Sequence, residues 1–343
     1  MRTERTIRRR WLAPLAILPL LAISAACGAS DGDSGQALVL YSGRDEKLVQ
    51  PLIDDFEAAT GIAVDVRYGN SAEMGAQILE EGSATPAAVF YSQEVGAVGV
   101  LEEADMLAEL PQDVVDRVPA RFRPKDNNQW VGVTGRSRVI VYNPDLVDDV
   151  PEGVLDLTDP KYAGKVAWAP PNASFQSFVT AFRVAVGDDQ ARSWLEGMLA
   201  NDPVAYESNN EILDAVNNGD IAIGLINHYY WARALPELGD GLKAKLVFPK
   251  GDDPGGLVNA TAVAVLKGAT DNPDAQALVE YLLSEEGQTH FVDETMEYPL
   301  VEGIAQPDGV PPLSSLEGLQ VDLTDLESLE QTQTLLVDLG ILD

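Results

Sequence analysis

Cysteine, histidine and basic residues are scarce in this chain of 343 residues, and each shortage excludes a class of protein. The one cysteine has no disulfide partner, so the chain is not a disulfide scaffold. The two histidines, His228 and His290, do not form an H-x-x-x-H zinc pattern. The 23 Lys and Arg residues face 55 Asp and Glu residues, which gives a net charge of -32. Because binding to phosphate backbones needs clustered cations, this balance argues against a nucleic-acid partner.

The overall composition indicates a folded protein with a sizeable core. Hydrophobic residues make up 45% of the chain and charged residues 23%, which excludes a disordered protein. A chain of this length can bury its core in two lobes. The strong acidity has two readings: it keeps a solvated surface soluble, or it draws cations toward the protein.

The N-terminus has the pattern of an export signal. Five arginines within the first ten residues precede an uncharged, apolar stretch from Trp11 to Ala26, which is too short for a typical membrane span. The run from Ser24 to Cys27 resembles a bacterial lipobox, whose cysteine is acylated after cleavage. We therefore predict a lipoprotein signal peptide in residues 1–26, lipidation of Cys27 and a flexible tether in residues 27–36. The exported protein would be anchored by lipid at the outer face of the cell membrane, or be periplasmic.

The body of the chain alternates short β-branched runs with helical patterns. Strands are predicted at 38–41, 63–68, 87–91, 138–142, 221–226 and 258–266, and helical segments follow most of them. This alternation predicts α/β lobes with mainly parallel sheets.

The chain is expected to cross between two lobes near Gly135 and again near Asn259. These crossings predict a first lobe of residues 37–135 plus 260–310 and a second lobe of residues 136–259 plus 311–343. Two hinged α/β lobes enclose a central cleft, which is a recurrent place for a ligand.

The segment from Asn227 to Trp231 directly follows a predicted buried strand and contains adjacent tyrosines. At a strand end or in the first turn of a helix, the hydroxyls of Tyr229 and Tyr230 can converge on one point. Hard trivalent cations prefer oxygen donors, and a bound metal stabilises phenolate, so two phenolates would suit ferric iron. Packing in a core or an interface is the alternative reading of such an aromatic run.

The aromatic segment belongs to a series of stretches that resembles the ferric-ion-binding proteins of bacterial ABC importers. The paired tyrosine is the most specific member of this series, which spans nearly the whole chain after residue 36. The stretches are residues 41–44, 89–93, 130–136, 171–176, 208–210, 224–230, 253–258 and 297–300. The resemblance implies a two-lobed fold of the type II periplasmic-binding-protein class.

The resemblance also implies site residues. Tyr229 and Tyr230 match the family's two tyrosine ligands for iron, and Tyr142 falls where some members supply a third. Asn209 and Asn227 match positions that hold a small synergistic anion, carbonate or phosphate, beside the iron. A physical argument adds the segment from Asn172 to Ser174, because backbone N–H groups at a helix start favour an anion.

The first lobe departs from the family pattern. Asp45 and Glu46 stand where members have histidine and, in some, tyrosine, and Gln93 replaces a glutamate ligand. Asp45 and Glu46 can bind a hard cation through oxygen, or they can simply favour the start of a helix. Arg44 and Arg136 can bind an anion or pair with carboxylates.

The function that follows is the extracytoplasmic capture of ferric iron for an ABC importer. The partners would be ferric ion, a synergistic anion, a separate ABC transporter permease and the membrane through the lipid anchor, with the protein itself a monomer and not an enzyme. A binder of the same fold for a polyamine, thiamine or a phosphorylated compound is the main alternative. A hydrolase lacks a nucleophile and histidine constellation here, and a purely structural protein would leave the tyrosine pair unexplained.

Overall fold

A computed structural model describes residues 37–318, 321 and 323–342. The predicted signal peptide, the predicted tether and Cys27 lie outside the described residues, which form one compact unit. The strands are β1 (Leu38–Ser42), β2 (Val64–Tyr68), β3 (Val89–Ser92), β4 (Val131–Tyr142), β5 (Val166–Trp168), β6 (Val204–Ala205), β7 (Ile223–Asn227), β8 (Lys245–Val247), β9 (Val258–Val265) and β10 (Tyr298–Pro299).

The helices alternate with these strands along most of the chain, as predicted. They are α1 (Glu46–Thr60), α2 (Ser71–Glu81), α3 (Val95–Glu103), α4 (Gln112–Val115), α5 (Ala173–Val186), α6 (Asp188–Ala200), α7 (Asn209–Asn218), α8 (His228–Leu238), α9 (Pro273–Leu282), α10 (Glu285–His290) and α11 (Leu329–Asp338). Among the residues with a described structure, no helix is both long enough and apolar enough to cross a bilayer.

The strands form two half-sheets that share β4. The first half-sheet has the order β2-β1-β3-β9-β4, with β10 also paired to β4. The second half-sheet has the order β4-β7-β5-β6, with β8 also paired to β4. The two-lobed α/β fold predicted from the sequence is therefore confirmed.

The prediction of mainly parallel sheets was wrong, because the sheet is mixed. β1 pairs in parallel with β2 and β3, and β5 does so with β6 and β7. β4 and β9 instead run antiparallel to every strand they pair with. These two strands carry the chain between the half-sheets, so helical crossovers do not set their direction.

β4 changes partners in its middle. Val131–Ser137 pairs with β9, and the stretch from Arg138 to Tyr142 pairs with β7 and β8. One core surrounds the first half-sheet, and two further clusters cover the faces of the second. The point where β4 changes partners therefore lies between the cores.

The C-terminal segment is shared between the cores rather than confined to one. Leu323 and Leu326 pack in the core of the first half-sheet, whereas Leu335 and Leu336 pack in a core of the second. This packing differs from the assignment of all of residues 311–343 to the second lobe. The other lobe boundaries remain predictions.

Candidate functional site

Tyr229 and Tyr230 lie in the first turn of a helix that leaves a buried strand without a loop. β7 ends at Asn227 and α8 begins at His228. The two phenol rings stack with centroids 4.3 Å apart. Tyr229 is 4% exposed and Tyr230 is half-buried. The guanidinium of Arg233, one turn farther along α8, lies 5.2 Å from the centroid of each ring.

The surroundings of Tyr229 keep its phenol protonated near neutral pH. Burial, followed by the neighbouring Tyr230, raises the pKa of Tyr229, and the nearby Arg136 only partly opposes this effect. A phenolate at this position therefore needs a stronger positive charge close to its oxygen than Arg136 supplies. A bound metal cation provides such a charge and replaces the proton.

His228 anchors the start of α8 to β4 and to the segment that contains Met296. Its Nδ1 accepts a hydrogen bond from the backbone N–H of Ser137 (3.1 Å), so Nε2 carries the proton and donates to the carbonyl of Met296 (3.1 Å). The imidazole stacks on the ring of Tyr298 at 4.2 Å. Burial lowers the pKa of His228 to about 4. The ring is therefore neutral near neutral pH and has no free nitrogen for a metal.

A buried group of five charged side chains lies beside the tyrosine pair. We call Arg44, Glu94, Arg136, Arg138 and Glu297 the charge cluster. Arg44 donates from both terminal nitrogens to the two oxygens of Glu297, at 3.0 and 3.1 Å. Arg136 lies 3.2 Å from Glu94. Burial opposes ionisation of Glu297, but Arg44 and Arg136 together hold its pKa below the ordinary value.

Arg138 is the one member of the charge cluster without a carboxylate partner among the described residues. Its terminal nitrogens donate to the carbonyl of Leu225 (3.0 Å) and the hydroxyl of Ser174 (3.4 Å), and its Nε has no partner. Burial lowers the pKa of Arg138 to about 10, although the nearby Tyr230 and Tyr229 act in the opposite direction. A buried cation with an unused donor calls for an anion.

A small cavity of about 10 Å³ separates these side chains and has room for roughly one water-sized group. Its polar lining consists of side chains from both half-sheets and from α5, with Phe178 and Leu257 as the apolar part. The polar lining residues are Glu94, Arg136, Arg138, Ser174, Asn227 and Asn259. The cavity is therefore predominantly cationic and rich in donors.

The predicted anion-binding residues gather around this cavity. Asn172 caps α5 by accepting from the backbone N–H of Ser174 (3.0 Å), as expected for a helix start. The amide of Asn209 donates to both Asn172 and Ser174, each at 3.2 Å. Asn227 lines the cavity two residues before Tyr229. These four positions come from three separate segments of the chain and meet at one place.

Other predicted site residues lie away from the cavity. The guanidinium of Arg44 is engaged by Glu297 and does not line the cavity. Tyr142 lies four residues beyond Arg138 along β4, which is about 13 Å away, and packs against the core of the second half-sheet. This separation from Arg138 disfavours Tyr142 as a third ligand, a role that stays a prediction.

Asp45 and Glu46 are exposed at the start of α1. Asp45 caps the helix by accepting from the backbone N–H of Lys47 at 2.9 Å. Within the described part of the chain, no group of three or more His, Cys, Asp or Glu side chains is arranged to hold a metal ion.

The sequence reasoning missed Arg138, Glu94 and Glu297 as members of the site. A signal for Arg138 was present, because Arg136 and Arg138 are two residues apart in a strand and so share one face of it. Glu297 begins one of the stretches that resemble the family, whereas Glu94 directly follows another and lies in none of them.

Fold and site together define a solute-binding protein with a cleft between two lobes. Residues 84–321 match the family described as "Bacterial extracellular solute-binding protein", and the chain belongs to that family. It is 32% identical over 341 residues to the "Fe(3+)-binding periplasmic protein" of Serratia marcescens, covering 96% of this chain and 98% of the relative.

Two solved structures are also similar to this chain. Iron-bound HitA from Pseudomonas aeruginosa is 32% identical, with a TM-score of 0.81 over 89% of this chain and 99% of that one. Trichodesmium IdiA (FutA), solved in complex with iron and citrate, is 27% identical, with a TM-score of 0.75 over 89% and 99% of the two chains.

Proposed function

We propose that this protein captures ferric iron outside the cytoplasm on the phenol oxygens of Tyr229 and Tyr230 and delivers it to an ABC importer. The observation that carries the proposal is the stacked tyrosine pair in the first turn of α8, beside a cationic cavity. Ferric iron is a hard cation that favours oxygen donors, and its charge suffices to displace the phenol protons. The names of the relatives point to the same cargo.

A small anion would complete the site. Carbonate or phosphate would bind where Asn227 and Arg138 line the cavity, and the cavity of about 10 Å³ would have to widen to accept either anion. Asn172 and Asn209 hold Ser174 in place through hydrogen bonds. The bound anion would neutralise Arg138 and offer further oxygens to the iron. This role explains why a guanidinium is buried there without a carboxylate.

Closure of the lobes would finish the coordination of the iron. The second lobe would bind iron and anion first, and an oxygen from the first lobe would then cap them. Asp45 and Glu46 are candidates, because their carboxylates are exposed and make no ion pair in the described structure. Closure is favoured only if these contacts exist in the closed state and not in the open one. We leave Tyr142 out of the ligand set because of its position along β4.

The protein would work as a monomeric carrier and not as an enzyme, with a separate permease as its partner. Export through the signal in residues 1–26 and lipidation of Cys27 would hold it at the outer face of the membrane. Replacing Cys27 with serine should move the exported protein from the membrane fraction to the soluble one. Unchanged membrane association of that variant would reject the anchor.

The charge-transfer band between phenolate and ferric iron tests the ligand assignment. Adding ferric ion to the iron-free protein should produce a visible absorption band, and replacing both Tyr229 and Tyr230 with phenylalanine should abolish it. Tyr142→Phe is the matched control and should keep the band. A band that survives in the double variant rejects the assignment. No band in the parent protein favours a polyamine, thiamine or a phosphorylated compound as the cargo.

A further inference from the structure

His228 directly precedes the tyrosine pair, and its side chain is fully buried. Its Nδ1 accepts from the backbone N–H of Ser137 and its Nε2 donates to the carbonyl of Met296, each at 3.1 Å. The ring stacks on Tyr298 with centroids 4.2 Å apart, and the ring of Tyr229 meets it edge-on at 5.9 Å. Both ring nitrogens are thus in use, and the imidazole is fixed in one orientation.

The bond to Ser137 holds the start of α8 at the place where β4 changes partners. Ser137 pairs with Val258 of β9, and the next residue, Arg138, pairs with Asn227, the last residue of β7. A buried backbone N–H needs an acceptor, and the first residue of α8 supplies it here with its side chain. The helix start therefore has a fixed position relative to the strand that both half-sheets share.

The bond to Met296 ties the same helix start to the first half-sheet. Met296 has a φ of 57°, which is a left-handed conformation and uncommon for a residue other than glycine. The next two residues hold this segment in place, because Glu297 accepts both hydrogen bonds from Arg44 and Tyr298 pairs with β4. One imidazole therefore joins the tyrosine-bearing helix to two separate segments of the chain.

The first turn of α8 has no capping side chain in the described structure. Asn227 occupies the N-cap position, but its side chain makes no capping hydrogen bond, whereas Asn172 caps α5 in the usual way. Tyr229 and Tyr230 lie in this turn, so their phenol oxygens move with it. Two oxygens bind one metal ion well only if they are held within about 0.5 Å of the required geometry. The contacts of His228 are what holds this turn.

We infer that His228 is a positioning residue for the iron site: it does not bind the metal, but it fixes the first turn of α8 so that the phenol oxygens of Tyr229 and Tyr230 reach the same ion. This inference rests on the proposed function, because it concerns the two proposed ligands. Without the two hydrogen bonds of the imidazole, the turn can rotate and one phenol oxygen leaves the ion.

Replacement of His228 with phenylalanine keeps a ring for stacking on Tyr298 and removes both hydrogen bonds. At saturating ferric ion, this variant should give a weaker charge-transfer band per bound iron, because fewer phenolates contact the metal. Its iron affinity in chelator competition should fall about tenfold to a hundredfold, the usual effect of one or two lost hydrogen bonds. His290→Phe is the matched control, because His290 lies on α10 against Asp55, and it should leave band and affinity unchanged.

A second variant keeps the test open if His228→Phe does not fold. Glutamine can donate to the carbonyl of Met296 but leaves the N–H of Ser137 without its acceptor, so His228→Gln should also weaken the band. The intensity at saturating iron separates positioning from stability, because a purely structural residue lowers the free energy of unfolding and leaves the band of the folded protein as it was.

The outcomes also separate this inference from the iron proposal. A band of parent intensity in the folded His228 variants overturns the inference and leaves the iron proposal intact. If the parent protein shows no band, the iron proposal fails, and a crystal structure of an iron-free His228 variant then tests the positioning role. Rings of Tyr229 and Tyr230 that have left their 4.3 Å stack would support that role, and an unchanged pair would overturn it.

Discussion

Replacement of Arg138 with methionine should show whether this buried arginine serves ligand binding or the stability of the fold. Burial lowers the pKa of the guanidinium to about 10, and the difference from its ordinary value corresponds to roughly 3 kcal/mol against holding the charge there. Methionine removes this cost but also loses the hydrogen bonds to Leu225 and Ser174, which are worth about 1 to 2 kcal/mol each. The free energy of unfolding should therefore stay within about 1 kcal/mol of the parent value.

Arg44→Met is the matched control in the same cluster. Arg44 is as buried as Arg138, but it donates twice to Glu297. Its removal leaves a buried carboxylate without its main partner, which costs about 3 to 5 kcal/mol. Denaturant unfolding of both variants measures the contrast.

The binding of the anion should show the opposite order of effects. Loss of Arg138 removes a charged donor from the cavity and should weaken carbonate binding about tenfold to a hundredfold in calorimetry. Arg44 does not line the cavity, so folded Arg44→Met should bind the anion with an affinity closer to that of the parent protein. If Arg138→Met is as destabilised as Arg44→Met and keeps its anion affinity, Arg138 has a structural role and the reasoning is refuted.

Three further predictions concern the site and its support. Iron binding releases the phenol protons of Tyr229 and Tyr230, so each unit of falling pH should lower the iron association constant about a hundredfold. Competition with a chelator measures this constant, and a shallower dependence on pH would mean that fewer than two phenolates bind the iron. Glu297→Gln should cost about 3 kcal/mol in denaturant unfolding, because it weakens both ion pairs that the carboxylate makes, and an unchanged stability would contradict this. Gly224→Ala should cost about 1 to 3 kcal/mol in denaturant unfolding, because the added Cβ would overlap Cγ2 of Ile212. The position of the iron band should not change.

Local patterns in the sequence were sufficient for the isolated elements of the fold. The strand predicted at residues 38–41 is β1, and the helix after it buries Leu52, Ile53 and Phe56 before it ends at Gly61 in a left-handed conformation. Val49 is buried with them, whereas its neighbour Leu48 is only partly buried.

Only the C-terminal part of β4 was predicted. The apolar run at 138–142 is the end of β4, but the strand begins seven residues earlier, at Val131. Gly132, Gly135 and Arg136 interrupt the apolar pattern there, and the extended conformation comes from pairing with β9 and β10. Such pairing depends on residues more than a hundred positions away, which local periodicity does not reveal.

The site, like the fold, was predictable from the sequence only where its residues are close together in the chain. Tyr229 and Tyr230 are neighbours in the chain, so their convergence at a helix start was visible in the sequence. The contact between Glu94 and Ser177 joins segments 83 positions apart, and that between Arg44 and Glu297 joins segments 253 positions apart. Only the folded chain shows that, among the described residues, Arg138 has no carboxylate partner and Oε1 of Glu94 has no hydrogen-bond donor.

The most direct test of the central claim is the position of the metal itself. Crystals of the protein loaded with ferric ion, measured at the iron absorption edge, should give one strong anomalous peak within bonding distance of the phenol oxygens of both Tyr229 and Tyr230. A peak that lies only on exposed carboxylates such as Asp45 and Glu46, or the absence of a peak between the lobes, would contradict the account.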